Sequence, residues 1–154
     1  MKNGDLVKHK IDYADEIAKV VGKLCQPQTI LEAGIGEATT LSWVVAALST
    51  LNISPQFYGF DLSCSRVFYA RKWLEQQKIT GVHLCTGDLA NMPYQDNSFD
   101  GGYMLHVGMN IDDKISLFPQ CLMKSYFCSS DFMRPGLFRN AENVPMHIPT
   151  FKFD

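Results

Sequence analysis

Paired cysteines are the first thing missing from this chain. Its 154 residues include five cysteines, Cys25, Cys64, Cys85, Cys121 and Cys128, scattered singly, odd in number and without Cys-x-x-Cys spacing. That pattern speaks against a zinc site and against a disulfide framework, so no metal is expected and the thiols read as small apolar fillers. Clustered positive charge is missing too. With 14 basic against 16 acidic residues and a net charge of −2, no Lys/Arg track points to a nucleic-acid partner. No apolar run approaches bilayer length, and Met1-Lys2-Asn3-Gly4-Asp5 lacks the apolar stretch of a signal peptide; a soluble cytoplasmic protein is the expectation. Internal repeats and low-complexity segments are absent as well. What is present, 46% hydrophobic and 12% aromatic residues, suffices for one packed domain.

The rest of the chain is organised around Thr29 to Thr40. A short apolar and β-branched run, Thr29-Ile30-Leu31, follows Pro27 and ends at Glu32, which suits a strand buried on both faces of a parallel sheet. Gly34 and Gly36 come next, and Ala38 to Leu48 reads as a helix. A glycine pair between strand and helix lets backbone approach a ligand with no Cβ in the way, and the helix aims N–H groups at any anionic group there. Alone, such a pair is equally well a turn with no ligand. A dinucleotide fingerprint wants Gly or Ala three residues after the second glycine, and that position is Thr39, which disfavours a nicotinamide oxidoreductase.

Around this turn the periodicity alternates between helix and strand. Ile17, Val20, Val21 and Leu24 form an amphipathic stripe over Asp12 to Leu24, with Asp12 as N-cap. Tyr13 reads as a packing tyrosine or a ligand contact. Gln56 to Phe60 is a second strand ending at Asp61, and Ser63 or Ser65 caps a helix running to about Gln77 with Val67, Ala70 and Leu74 on one face. A carboxylate at that strand end can accept from both hydroxyls of a ribose; its blander role is to cap the helix. Val82 to Cys85 is a third strand, and Ser98 to His106 enters a fourth, weakened by Gly101-Gly102. Pro119 interrupts the next helix, and a short fifth strand is expected within Cys121 to Cys128. From Asp131 the pattern dissolves, which divides the chain into a domain over residues 1–130 and an irregular tail over 131–154.

Glu32-Ala33-Gly34-Ile35-Gly36-Glu37-Ala38 resembles E/D-x-G-x-G-x-G, the first motif of class I S-adenosylmethionine-dependent methyltransferases, with Ala38 in place of the last glycine. Gly87-Asp88-Leu89, Pro93-Tyr94 and Ser98-Phe99-Asp100 resemble the G-D-a-x-x-L-P-F-x-D-x-S-F-D of many small-molecule methyltransferases. The likeness covers roughly Ile11 to His106. It implies an α/β fold: a Rossmann-like parallel sheet in the order 3-2-1-4-5, flanked by helices, with S-adenosyl-L-methionine as cofactor and methyl transfer to a small-molecule acceptor. Glu32 would order the glycine turn, and Gly34 and Gly36 would admit the methionyl portion. Asp61 would hold the ribose, with Leu62 beside it. Asp88 would take the adenine amine, and the Leu89 amide a ring nitrogen. Tyr103 and His106 would face the transferred methyl, His106 as base, since an imidazole is a credible base for a hydroxyl or amine nucleophile. The family's sixth and seventh strands are not legible, so the tail or a second subunit in a homodimer is expected to cover the fifth-strand edge. The same feature keeps open a non-catalytic S-adenosylmethionine-binding or partner-binding module. The acceptor has no legible signature.

Overall fold

A computed structural model describes residues 14–19, 27–95, 98–105 and 107, together with the backbone of 126–129. Five strands form one parallel sheet in the order β3-β2-β1-β4-β5: β1 (Thr29–Ala33), β2 (Gln56–Asp61), β3 (Val82–Thr86), β4 (Gly101–Met104) and β5 (Tyr126–Ser129). This is the expected order. Between them lie α2 (Thr39–Thr50) and α3 (Cys64–Gln76), and residues 14–19 are helical and are called α1 here. Each parallel step needs a crossover, and α2 and α3 supply the two crossovers that lead to β2 and β3.

Central placement explains the composition of β1. It pairs with β2 on one side, Leu31 opposite Tyr58, and with β4 on the other, Leu31 opposite Gly102. Its residues alternate between two cores because successive strand side chains point to opposite faces. Ile30 packs with Ala14, Ile17 and Ala18 of α1, Leu41, Val44 and Leu48 of α2, Val67, Ala70 and Leu74 of α3, and Tyr103. Leu31 and Ala33 pack on the other face with Phe60, Leu89, Met92, Phe99 and Met104. Fully burying a leucine such as Leu41 or Leu48 contributes about 2 kcal/mol, so the spacing of Leu41, Val44 and Leu48 along α2 is what fixes that helix to the sheet.

The ends of the elements follow local rules. Ser63 is the N-cap of α3, its hydroxyl accepting the Arg66 N–H at 3.4 Å. α2 has no side-chain cap, and the expected first helical residue, Ala38, is instead the N-cap in the left-handed conformation, φ +58°. Gly101 and Gly102, expected to weaken β4, are buried inside it and pair on both sides, with Ile30 and Leu31 of β1 and with Tyr126 and Phe127 of β5. The buried central position outweighs glycine's poor strand preference here. Asp12, Tyr13, Pro119 and the tail over 131–154 lie outside the described residues.

At the amino end of the sheet one carboxylate ties two strands together. Asp100 Oδ2 accepts the N–H groups of Gln28 and Thr29, each at 2.9 Å, and the Thr29 hydroxyl at 3.0 Å. Its own N–H donates back to Thr29. The Thr29 backbone N–H, with help from the Thr29 hydroxyl and the Gln28 N–H, holds the Asp100 carboxyl below the usual carboxylate range. Asp100 belongs to the Ser98-Phe99-Asp100 motif, and this contact gives the motif's aspartate a structural reason.

Candidate functional site

The site is built at the carboxyl ends of β1, β2 and β3, where open α/β sheets place ligands. Gly34, Gly36 and Ala38 all have positive φ, at +75°, +54° and +58°, so the chain turns sharply from β1 into α2. At Gly34 a Cβ would overlap the methyls of Val107, which follows β4; at Gly36 it would meet open space. Glycine is required at the first for two reasons and at the second for φ alone.

What holds this turn is β2. The Phe60 carbonyl accepts the N–H groups of Gly34 at 2.9 Å and Ile35 at 3.0 Å. Asp61 Oδ2 accepts the Gly36 N–H at 2.9 Å, and Oδ1 accepts the Ser63 N–H at 2.9 Å. The Asp61 carbonyl in turn accepts the Gly87 N–H at 3.0 Å, which ties in the loop after β3. Asp61 therefore braces the entry to α3, and its buried carboxylate is fixed where the turn after β1 meets the start of α3. Each of its oxygens has accepted one hydrogen bond, and a carboxylate offers about four acceptor positions, so capacity for two hydroxyls remains.

Glu32 departs from expectation. It lies on the face of β1 that packs with the helices, is 2% exposed, and accepts a hydrogen bond from the Tyr103 hydroxyl at 2.8 Å rather than from the turn. Asp61 and the Phe60 carbonyl do the ordering assigned to Glu32, because a side chain two residues before the turn points into the sheet layer and not back along the chain. Burial pushes the Glu32 carboxyl up to about 8, against a smaller lowering by the Tyr103 hydrogen bond. Tyr103 is fully buried and, by burial first and the Glu32 charge second, its phenol titrates well above the ordinary tyrosine range. It sits in the core beside Glu32 and does not line an open cleft as expected.

The loop after β3 explains its own motif. A Cβ on Gly87 would come within 2.7 Å of Pro93 Cγ, so the glycine admits the proline. Asp88 Oδ1 accepts the Ala90 N–H at 2.9 Å and its carbonyl accepts the Asn91 N–H at 3.1 Å. The exposed Asp88 is thus a turn residue, with its second carboxylate oxygen still able to accept from an amine. Leu89 buries its side chain, and among the described residues nothing accepts from its N–H. Tyr94 and Phe99 meet edge to face at 4.9 Å, against Tyr58 and Phe60, so the aromatic members of the motif are core. Tyr94 also contacts Cys85 Sγ through its hydroxyl at 3.3 Å, and burial first, then Cys85, raises its phenol. Leu62, directly after Asp61, is 72% exposed, an apolar surface at the rim of the site. His106 lies outside the described residues.

Hydrogen bonds through Phe60 and Asp61 tie the turn of Gly34 and Gly36 to the loop that opens at Gly87 and carries Asp88 and Leu89, whereas Glu32 lies in the helix-side core with Tyr103. Sequence reasoning missed the Phe60 carbonyl, which no side-chain pattern can show, and the Glu32–Tyr103 pair, which requires knowing the β1–β4 register. Among the described residues no cluster of His, Cys, Asp and Glu could hold a metal, and no helix is long and apolar enough to cross a membrane.

Comparison with known proteins agrees with this geometry. Residues 27–133 match the family model described as a methyltransferase domain. The chain belongs to this methyltransferase family. A demethylmenaquinone methyltransferase of Geobacillus sp. (strain WCH70) is 28% identical over 61 residues, which is 40% of this chain and 26% of the relative. The fold resembles that of the YcgJ protein from Bacillus subtilis, with TM-score 0.63, 16% identity and coverage of 78% of this chain and 49% of that one. It also resembles phosphoethanolamine N-methyltransferase 2 of Haemonchus contortus, solved in complex with S-adenosyl-L-methionine, with TM-score 0.62, 21% identity and coverage of 75% and 26%. The chain therefore spans half or less of the length of these relatives. The family resemblance and the class I fold read from the sequence are borne out.

Proposed function

We propose that this methyltransferase domain binds S-adenosyl-L-methionine across the ends of β1, β2 and β3 and transfers its methyl group to a small-molecule acceptor. The observation that carries the reading is the joint anchoring of three loops on Phe60 and Asp61. It presents a glycine turn, a fixed carboxylate and an adjacent acceptor loop as one surface. The donor set fits the ligand's parts. Gly34 and Gly36 keep side chains away from the methionyl portion, Asp61 accepts from ribose hydroxyls, exposed Leu62 covers an apolar face, and Asp88 with the Leu89 amide meets the adenine edge.

When bound, the cofactor supplies an electrophilic methyl on a sulfonium. What the chain contributes is proximity and alignment, and for a good nucleophile this suffices without a base. His106, at the carboxyl side of β4, is proposed as a base for a weaker one. A soluble cytoplasmic setting, no nucleic-acid partner, and a second copy or residues 131–154 covering β5 belong to the same proposal.

Calorimetry against S-adenosylmethionine, S-adenosylhomocysteine and NAD tests the ligand: heat with the first two and none with NAD is expected, and silence with the first two ends the reading. Turnover of labelled methyl donor on a metabolite panel, with Asp61→Ala as control, tests transfer. Tight binding without turnover across a broad panel would instead favour a binding module. An unchanged rate in His106→Ala removes the base.

A further inference from the structure

The β3 edge of the sheet carries chemistry that the ligand end does not use. β3 stands last in the sheet and pairs with β2, where the Phe57 N–H donates to the Gly81 carbonyl and the Gly87 N–H to the Asp61 carbonyl. In a parallel ladder this turns the main-chain groups of residues 81, 83, 85 and 87 toward β2 and those of Val82, Leu84 and Thr86 outward. Among the described residues nothing accepts from these three outward N–H groups. Of the three outward carbonyls, that of Leu84 accepts from the Arg71 guanidinium at 2.8 Å. The edge is therefore richer in free donors than in free acceptors. Beside it runs an open groove of about 440 Å³, between β3 and the end of α3. Leu74, Ile79, Val82 and Leu84 give the groove an apolar lining, and Arg71 and Lys78 add two cations against one acid, Glu75. This charge is local. Residues 64–78 hold Arg66, Arg71, Lys72 and Lys78 against Glu75 alone, so the stretch is +3 in a chain whose total is −2.

We propose that the β3 edge is a docking site for an extended, acidic segment of a partner protein, which adds to the sheet as a further strand with its carboxylates on Arg71 and Lys78. An exposed edge strand is a template for another backbone; main-chain pairing supplies affinity, and contacts of alternate side chains supply specificity. The occupant follows from charge and from the hydrogen-bond count. A second copy of this chain meeting edge to edge would set Arg71 and Lys78 against their own counterparts, and like charges so placed oppose pairing. A phosphodiester chain offers acceptors to the cations and the outward N–H groups but no N–H to the Val82 and Thr86 carbonyls, whereas a peptide brings both. Arg71 serves both partners: a guanidinium has five donors, so it keeps the Leu84 carbonyl while taking a carboxylate. None of these residues belongs to the S-adenosylmethionine site.

The test takes the full chain at neutral pH and the acetylated, amidated peptide Thr-Glu-Thr-Val-Thr-Glu-Thr, whose glutamates and valine share one strand face; the control has lysine for both glutamates. Fluorescence anisotropy should show the acidic peptide binding at roughly 10–100 µM, as a small interface allows, and the lysine version at least about tenfold more weakly. Arg71→Glu and Lys78→Glu, both at exposed positions, should each weaken the acidic peptide about five- to tenfold. Amide hydrogen exchange read by NMR decides whether the contact is a strand. With saturating peptide, Val82, Leu84 and Thr86 should slow at least about tenfold from fast exchange, while His83 and Cys85, already bonded to β2, change much less. Where a variant does not fold, this alternating pattern in the wild type still decides. Equal binding of both peptides, binding of neither, or binding that leaves the three amides fast each overturns the inference. Amides already slow in the dilute free chain, or slowed by concentrating it, overturn it in favour of the chain covering its own edge. Tighter binding of an oligouridylate than of the acidic peptide, lost in Arg71→Glu, overturns it in favour of a nucleic acid.

Discussion

The two ends of β1 hold two carboxyl groups in opposite states. At the amino end Asp100 is exposed, takes three hydrogen bonds from Gln28 and Thr29, and titrates below the usual carboxylate range. At the other end Glu32 is buried, takes one, and titrates at about 8. Hydrogen-bond donors wrapped around an exposed carboxylate favour its charge, whereas burial with one donor favours its proton. The two ends of the sheet thus serve different purposes. At the amino end the donors of Gln28 and Thr29 hold a carboxyl charged, and at the carboxyl end of β1 burial holds one protonated. That contrast can be strained at four points.

The largest expected effect is on Glu32 itself. Its carboxyl is raised from 4.5 to about 8 in the folded protein, so the folded state holds the extra proton between those values. Its stability contribution is therefore complete below about pH 4.5 and lost as pH rises through 8, a swing on the order of 5 kcal/mol at most by linkage. Glu32→Gln keeps the acceptor for Tyr103 and removes the ionisation. Denaturant midpoints measured from pH 5 to 9 should fall with pH in the wild type and fall much less in the variant. Parallel curves would mean that Glu32 ionises freely and that the contrast with Asp100 is false.

Next comes Gly34→Ala. The left-handed conformation costs an alanine about 1–2 kcal/mol, and overlap with Val107 adds a packing strain of about 1–3 kcal/mol. Gly36→Ala incurs the first term alone, because nothing stands within 4 Å of its added Cβ. Thermal melts should rank the wild type above Gly36→Ala and Gly36→Ala above Gly34→Ala. Equal losses would show that Val107 yields.

Asp100→Ala, at the fastened end, should destabilise by about 1–3 kcal/mol, discounted from the full value of charge-assisted bonds because the group is exposed. Since the folded carboxyl titrates below the unfolded one, its contribution is present above about pH 4 and disappears as pH falls through the folded value. The acid limb of the stability curve should therefore shift in the variant while the limb between pH 5 and 8 stays, the reverse of Glu32→Gln.

How much of this could be read from the residues follows the same division. The β-α-β order is carried by local signals, such as the β-branched run at Thr29-Ile30, the Ser63 cap and the stripe of Leu41, Val44 and Leu48, and it emerged as expected with the sheet order. Gly34, Gly36 and Asp61 were legible because a turn needing positive φ and an acid at a strand end leave traces in single positions. The partner of Glu32 was not, since Tyr103 lies 71 residues away and meets it only through the pairing of β1 with β4. The Asp100 latch was hidden for the same reason: a motif aspartate looks alike whether it meets a ligand or, as here, a backbone 71 residues earlier.

The smallest effect is expected at Ala38, where the family motif has its last glycine. Ala38 sits at φ +58° as the uncapped start of α2, a conformation that glycine adopts without strain. Its methyl is also fully buried in the core beside Ile35 and Leu41. Ala38→Gly relieves about 1 kcal/mol of backbone strain, loses about 0.8 kcal/mol of methyl burial, and adds freedom to the unfolded chain worth about 0.4–1 kcal/mol. The terms nearly cancel, and the melt should move by less than about 1 kcal/mol, toward lower stability. A clear gain would mean that the alanine is held in real strain. It would then mark a strained residue at the turn from β1 into α2, where the family motif's glycine carries no such strain.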